Sequence, residues 1–519
     1  MTAEATPPAP DGGAGASGTG GPRSARSFRA ALGWTVLGAL VPGTGLLAAG
    51  RRWLGAVVLA VFLLLVAGGA WLATGGRRFA ARTAVDTDVL LWATVGLGVL
   101  VLLWIVVVVA GYRMLVPPRT PGGRHAVGGL VVAVLVAAIA APALFAGHLA
   151  LTSRDLIDGV FADGRRSATV PETADPFPSR ERVNVLLLGG DGGEGREGVR
   201  TDTVIVASID TDTGDTVLFS LPRNLQDLPF PEDSPLAEVY PDGFDAGSES
   251  ESLLNAVYRN GPAWYPDVLG PTDDPGADFL KLGVGEALGL RIDYYVLVNL
   301  EGFSRLVDAL GGITVNVNYY VPIGGEPTLG IFPDAYIAPG PDQHLDGATA
   351  LDFARGRFGL TDYDRMARQR CAISAIVDAA DPMTVLQRYQ ELAATTEDIV
   401  RTDIPRSVLD DFVDLAFLVQ DAEIRSVVFD DTVIDPAYPD YDRIREFVDE
   451  ALGPSSASPS PSPSPPPASP PSPPSPPSDG ERAEPPAVDP VTDIADACAY
   501  DPVRAAEARA EGQPPTRQG

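Results

Sequence analysis

Hydrophobic and polar positions divide the 519-residue chain into two unlike parts. The first part holds four apolar stretches. Trp53–Leu72, Val89–Gly111 and Ala126–Ala146 each run for about 20 residues without a charge, long enough to cross a bilayer. The stretch before them, residues 31–50, is interrupted by Val41-Pro42-Gly43-Thr44-Gly45 and reads as a broken or re-entrant helix. From residue 181 the pattern changes to short apolar runs closed by Gly, Asp or Pro. Val183–Leu188, Thr203–Ile209, Thr216–Leu221, Ile313–Val317, Ile424–Phe429 and the run YYVLVNL from Tyr294 predict strands. Helical spacing recurs around Leu253–Arg259, Phe279–Leu288 and Phe303–Leu310, in GATALDFA from Gly347, and from about Asp364. Residues 381–452 read as two or three helices around the strand at Ile424. This alternation predicts an α/β domain, an α/β/α sandwich with a central, mostly mixed sheet, preceded by an all-α transmembrane region.

Composition sets the boundaries. Residues 1–27 are mostly Gly, Ala, Pro and Ser, a disordered cytoplasmic tail; 28–150 form the transmembrane region with three full spans, 53–72, 89–111 and 126–146. Residues 151–180 read as a polar tether and 181–452 as the globular domain. Residues 453–490, of which Pro454–Ser478 are almost wholly Pro and Ser, predict a semi-rigid extended spacer reaching about 3 Å per residue, and 491–519 form an acidic C-terminal tail. Charge follows the same division. Residues 1–150 carry 11 Arg against 4 Asp/Glu, or +7; residues 151–519 carry 27 Arg/Lys against 64 Asp/Glu, or −37, which together give the net −30. Keeping Arg23, Arg26, Arg29, Arg51, Arg52, Arg113, Arg119 and Arg124 inside places the C-terminal part outside the cytoplasmic membrane. Arg77, Arg78 and Arg82 then fall outside, partly offset by Asp86 and Asp88. No signal-peptidase-like site follows a short apolar core, so no cleavage is expected.

So acidic a domain disfavours nucleic acid as a partner. Three histidines, two of them flanking a predicted span, give little support to a His-based triad or a His-rich zinc site. Cys371 and Cys498, the only cysteines, either form one disulfide pinning the tail to the domain or leave Cys371 a buried free thiol. Against the single Lys281, 37 arginines reflect a GC-rich coding bias, so it is their clustering that carries information. Arg355, Arg357, Arg365, Arg368 and Gln369 fall within fifteen residues, and on a helix Arg365, Arg368 and Gln369 share one face. Guanidinium forks suit phosphate oxygens. A glycine-rich turn, six Gly in residues 189–200, joins two strands and brings Asp191 near Asp202. It lacks the Gly-Lys-Ser/Thr of a P-loop; paired carboxylates at strand ends suit Mg²⁺ completed by substrate phosphate.

The series LLLGGD, RTDT, SLPRN, LLNAVY, DYYVLVNLEGFSRLVDALGGITVNV, LDGATALDFARGR and DYDRMARQR, over roughly residues 180–380, resembles the ordered motifs of the LytR–CpsA–Psr family. The resemblance implies a membrane-anchored, extracytoplasmic phosphotransferase that moves a glycopolymer from an undecaprenyl-pyrophosphate carrier to peptidoglycan. It also implies a hydrophobic pocket for the polyprenyl tail, for which the segments YYVLVNL and LVDALGG are candidates. On the matching positions it implies Mg²⁺ at Asp191 and Asp202, and pyrophosphate on Arg200, Arg223, Arg355, Arg357, Arg365 and Gln369, with Arg368 a further candidate. Asp202, Arg223, Arg357 and Arg365 become the catalytic set, Asp202 or Asp364 the candidate base. Asn224 stands where the family commonly has aspartate. A lipid-pyrophosphate hydrolase and a non-catalytic wall-polymer scaffold remain the alternatives. Expected partners are thus the polyprenyl-linked glycopolymer, peptidoglycan and the lipid bilayer.

Overall fold

A computed structural model describes residues 24–25, 27–161, 165–170, 181–191, 199–380, 400–453 and 491–517. Nearly all of the predicted N-terminal tail, 13 of the 30 tether residues (162–164 and 171–180) and nearly all of the Pro/Ser spacer lie outside them. The chain forms two units: one comprises residues up to Arg77 and Asp88–Leu151, the other Arg78–Thr87 and the chain from Thr152.

The first unit is helical. Helix α1 (Phe28–Leu40) starts where the Ser27 hydroxyl accepts the Ala30 N–H at 3.2 Å. It ends before the Pro-Gly break and is followed by the short α2 (Thr44–Ala48). Gly43 makes the break possible: its φ is +97°, and a Cβ there would lie 2.4 Å from the Gly55 carbonyl. With 13 residues, α1 is about 20 Å long and too short for a roughly 30 Å hydrocarbon core. Helix α3 (Arg52–Thr74) precedes α4 (Arg77–Val85), most of which belongs to the second unit. Helices α5 (Thr87–Leu115) and α6 (Gly122–Val160) follow. Among the described residues three helices, α3, α5 and α6, are long and apolar enough to cross a membrane. Their apolar side chains are outward, with Trp53 81%, Leu64 72% and Leu144 73% exposed, as an apolar surround requires. Residues 151–160, expected as tether, continue α6, because Arg154 and Asp158 pair one turn apart and prolong the helix in polar sequence.

The second unit is built on a seven-stranded mixed sheet. Strands β1 (Arg182–Gly190), β2 (Thr201–Asp210) and β3 (Thr216–Leu221) form an antiparallel meander. Helices α7 (Pro235–Val239), α8 (Leu254–Trp264) and α9 (Pro275–Leu288) come next, then β4 (Tyr294–Asn299), parallel to β1. Helix α10 (Leu300–Leu310) leads to two small sheets, in which β5 (Ile313–Val317) pairs with β8 (Gly340–Leu345) and β6 (Val321–Ile323) with β7 (Ala335–Ile337). Helices α11 (Gly347–Arg355) and α12 (Asp362–Ala379) carry the arginine motif. Strand β9 (Val400–Thr402) adds to one edge beside β4; at the other edge β10 (Ile424–Val428) runs parallel to β3 and β11 (Val491–Asp493) closes it. The order is β11-β10-β3-β2-β1-β4-β9.

Alternation along the strands separates two faces. Leu186, Leu188, Val204, Val206, Val217 and Phe219 pack on one side with α8, α9 and the helix Tyr441–Leu452. Leu187, Ile205, Ala207 and Leu218 face the other, where Ile373 of α12 and Ile494 cover them. Helices on both faces of a mixed sheet make the three-layer α/β/α arrangement expected from sequence.

Candidate active site

The site forms where β1 ends and β2 begins, beside α12. At their open end the Asp191 N–H donates to the Arg200 carbonyl at 3.1 Å, and the Arg200 N–H donates to Asp191 Oδ1 at 2.8 Å. Gly189 pairs with Thr203 and Gly190 with Thr201, which leaves Asp202 as the extra residue of a bulge. Such a bulge re-aims one side chain out of the alternation. Here it turns Asp202 toward Arg223, just past β3, whose Nη1 donates to Asp202 Oδ1 at 2.8 Å. Asn255 at the start of α8 donates to the same oxygen at 3.5 Å.

Helix α12 begins in a capping box, with the Thr361 hydroxyl accepting the Asp364 N–H at 3.1 Å and the Asp364 carboxylate accepting the Thr361 N–H at 3.0 Å. That fixes the first turn. Within it Asp362 takes a two-point bond from Arg365, 3.1 Å to Oδ1 and 2.8 Å to Oδ2, while Arg223 Nε stands 3.3 Å from the same Oδ1. Arg365 Nη1 donates to the Asp202 carbonyl at 2.7 Å. Asp202, Arg223, Asp362 and Arg365 are therefore one network joining the sheet end to the helix.

Burial pushes the Asp202 carboxyl upward, but the Arg223 hydrogen bond and charge, with Arg365 nearby, outweigh it and hold the group below the usual carboxylate range. Asp202 stays an anion at neutral pH, suited to holding a cation and ill suited to taking a proton. Arg357 is the converse. Burial and the neighbouring Arg223 and Arg365 lower its pKa, only partly opposed by Asp202 and Asp362. Among the described residues neither Arg355 nor Arg357 holds a hydrogen bond or ion pair through its side chain. An incoming anion would relieve that uncompensated charge.

Behind this polar mouth lies a cavity of about 440 Å³ between the sheet and α10, α11 and α12. Its floor is apolar: Leu187, Val296 and Val298 from strands, Phe303 and Leu306 from α10, Ile373 and Ile376 from α12. Asp191, Asp202, Arg355, Arg357, Arg365 and Gln369 line it as well. Of the two segments expected to form a lipid pocket, YYVLVNL contributes four lining residues from Val296 to Leu300. LVDALGG contributes only Leu306, because Val307, Ala309 and Leu310 are buried in the core.

Four expected residues do not line the cavity, and the first, Arg223, is turned instead to Asp202 and Asp362. Arg200 points to Glu251, with Nη2 at 2.6 Å from Oε1, and does not line the cavity. Arg368, 4% exposed, donates to the Phe353 carbonyl at 2.7 Å, to the Tyr319 hydroxyl at 2.8 Å and to the Gly356 carbonyl. It braces the turn carrying Arg355 and Arg357. Asp364 is committed to the helix cap and to Arg504 at 3.3 Å, away from the cavity lining. Sequence reasoning missed Asp362, whose three-residue spacing from Arg365 was a usable signal, and Asn255 in LLNAVY. It also missed Asp352, which lines the cavity and whose pKa is raised by burial, with Arg355 opposing.

Among the described residues no three His, Cys, Asp or Glu side chains converge as a complete metal site. Asp191 and Asp202 offer hard carboxylate oxygens at one edge of the cavity, an incomplete donor set that fits Mg²⁺ when substrate oxygens supply the remainder.

Cys371 in α12 is bonded to Cys498, with Cα atoms 5.6 Å apart, and among the described residues no cysteine is free.

The sequence matches the LytR_cpsA_psr family over residues 161–435, that is 275 of 519 positions and every residue of the cavity. The chain belongs to the LytR_cpsA_psr family. Among curated relatives, the polyisoprenyl-teichoic acid–peptidoglycan teichoic acid transferase TagU of Enterococcus faecalis is 31% identical over 232 residues, 44% of this chain and 63% of that protein. The probable cell wall biosynthesis protein LcpB of Corynebacterium glutamicum is 31% identical over 215 residues, 41% of each. The chain thus spans less than two thirds of the length of these LytR_cpsA_psr relatives. A solved structure of Bacillus subtilis TagV aligns at 22% identity with a TM-score of 0.36, covering 52% of this chain and 96% of that one.

Proposed function

We propose that this chain transfers a cell-wall glycopolymer from a polyprenyl-pyrophosphate carrier to peptidoglycan, with α3, α5 and α6 holding it in the membrane. One observation carries the reading: an apolar cavity opens onto unpaired arginines and two aspartates, a shape suited to a lipid tail with an anionic head. Transferase names among the relatives agree with it.

In this reading the tail occupies the cavity and the pyrophosphate lies across Arg355, Arg357, Arg365 and Gln369. Arg223 and Asp362 act one step back, holding Arg365 and Asp202 in place. A hydroxyl of the acceptor glycan attacks the phosphorus next to the polymer, the P–O–P bond breaks, and polyprenyl phosphate leaves. The fixed guanidinium forks stabilise the charge that builds on the leaving phosphate. A Mg²⁺ ion on Asp191 and Asp202 would supply Lewis-acid stabilisation of the same charge. The attacking hydroxyl must lose a proton. Asp202 is too acidic to accept it readily, and Asp352, with its raised pKa, is the better-suited carboxylate on the cavity wall.

The test is to supply the full chain in nanodiscs with a lipid-linked oligosaccharide, peptidoglycan and Mg²⁺. Sugar bound covalently to peptidoglycan, with stoichiometric polyprenyl phosphate and dependence on Mg²⁺, is the expected result. Free oligosaccharide released equally with and without peptidoglycan would mean a hydrolase. No turnover of the donor under any condition would leave a scaffold.

A further inference from the structure

A second cavity, of about 550 Å³, lies on the loop that follows Arg223. Its wall includes Asp227, Glu232, Tyr240, Asp242, Tyr438 and Tyr441, and among the described residues no arginine or lysine lines it. Three features set it apart from a surface dent. Tyr240 is only 6% exposed, yet its hydroxyl has no hydrogen-bond partner. A buried hydroxyl left unpaired is costly unless something else satisfies it. Asp227 has φ +50°, uncommon for a residue other than glycine, and its carboxylate makes no hydrogen bond among the described residues. The fold enforces that backbone: Leu225 and Leu228 on either side are fully buried, and Gly243, at φ +96°, packs so close that a Cβ would lie 2.5 Å from the Asp227 carbonyl. Strain held this firmly, around a carboxylate the fold does not use, points to a ligand. Finally, Tyr438 leaves 83% of its surface exposed at the rim.

Chemistry narrows the occupant. Carboxylates without a cation among them repel a phosphate-bearing donor. Among the described residues no three such groups converge as metal ligands, which argues against a cation. What remains suited is an uncharged molecule rich in hydroxyl and amide donors, with flat apolar faces to lie on tyrosine. A glycan has both. Asp227 is four residues beyond Arg223, within about 14 Å even for extended chain. A few linked sugars bridge that gap. Resting on the transfer reading above, we propose that this cleft is a binding subsite for the acceptor glycan, gripping sugars next to the one whose hydroxyl reacts. Tyr438 offers the stacking face, Asp227 accepts sugar hydroxyls, and the Tyr240 hydroxyl meets its missing partner on the ligand.

The test measures binding without donor, so it does not depend on transfer. The full chain in nanodiscs is titrated with tetra-N-acetyl-chitotetraose, an uncharged amino-sugar glycan, by calorimetry in EDTA. The wild type should bind, and Tyr438→Ala and Asp227→Asn should each weaken binding at least tenfold. Tyr240→Phe should weaken it severalfold while leaving the melting temperature unchanged or higher, the reverse of what a structural hydroxyl would give. In transfer assays the same variants should raise KM for peptidoglycan and leave KM for the lipid donor unaltered. Undetectable glycan binding by the wild type, or equal affinity in all four proteins, would overturn the subsite even if transfer proceeds. Glycan binding with no transfer would overturn the transfer reading and keep the subsite.

Discussion

Arg357 and Arg368 belong to one motif, and the fold uses them in opposite ways. Arg357 enters the cavity wall uncompensated; Arg368 is spent on two backbone carbonyls and a tyrosine. Replacing Arg357 with alanine should lower the transfer rate about 10²- to 10³-fold, the usual effect of losing a preorganised donor on developing charge. The melting temperature should hold or rise, because repulsion with Arg223 and Arg365 is relieved. Lysine at 357 should recover little, since it keeps the charge and loses the fork. Arg368→Ala should instead destabilise the domain by about 1–3 kcal/mol, leaving buried carbonyls without donors. Matched thermal melts and rate assays check the pair; a stable but inactive Arg368→Ala protein would contradict the assignment. Helical spacing correctly put Arg365, Arg368 and Gln369 on one side of α12. It carried no information on what stands opposite each, so Arg368 was legible as an arginine on that side but not as a brace. Asp202 was legible as a strand-end carboxylate, whereas the bulge that aims it depends on cross-strand register.

Elements were readable where local pattern decides them. Strands β3 and β5 fall on the residues expected, because apolar runs end abruptly at Gly, Pro or Asp. Strand β9, three residues long, exists only because β4 offers an open edge, and nothing in Val400–Thr402 announces it. The C-terminal segment was hardest to read. Residues expected only as an acidic tail supply β11 to the sheet edge and lay Ile494 against Ile205, Ala207 and Leu218. Asn316 donates to the Cys498 carbonyl at 3.0 Å, and Arg504 lies 4.4 Å from the centre of the Tyr319 ring. None of these pairings is local. The Cys371–Cys498 bond, separated by 127 positions, fastens the whole arrangement. By the chain-entropy argument, closing a loop that long stabilises by roughly 4–5 kcal/mol. Cys498→Ser should therefore lower the urea midpoint clearly, and dithiothreitol should do the same to the wild type but not to the variant. Equal midpoints with and without reductant would show that the bond does not form.

At the scale of the molecule, orientation is the main expectation. Arg77, Arg78 and Arg82 counted against an exported C-terminal domain when only their charge was visible. Residues 78–87 belong to the same unit as that domain, where Arg82 pairs with Asp414 and Arg78 lies 5.6 Å from the centre of the Phe417 ring. With partners of this kind, Arg78 and Arg82 no longer weigh against the expected orientation. An export-dependent reporter fused after residue 160 should be active; activity from a cytoplasm-only reporter at that point would reverse the orientation and the function with it. The bond between α12 and the C-terminal segment has one further consequence. Residues 454–490 run between Gly453, at the end of a packed helix, and Val491, in the sheet, so they leave and return to the same body. A protease cutting among those prolines and serines would divide the polypeptide without dividing the molecule. Such a nicked protein should migrate at full mass on a non-reducing gel and fall into two fragments only after reduction, its tail held through an insult that would strip an ordinary extension.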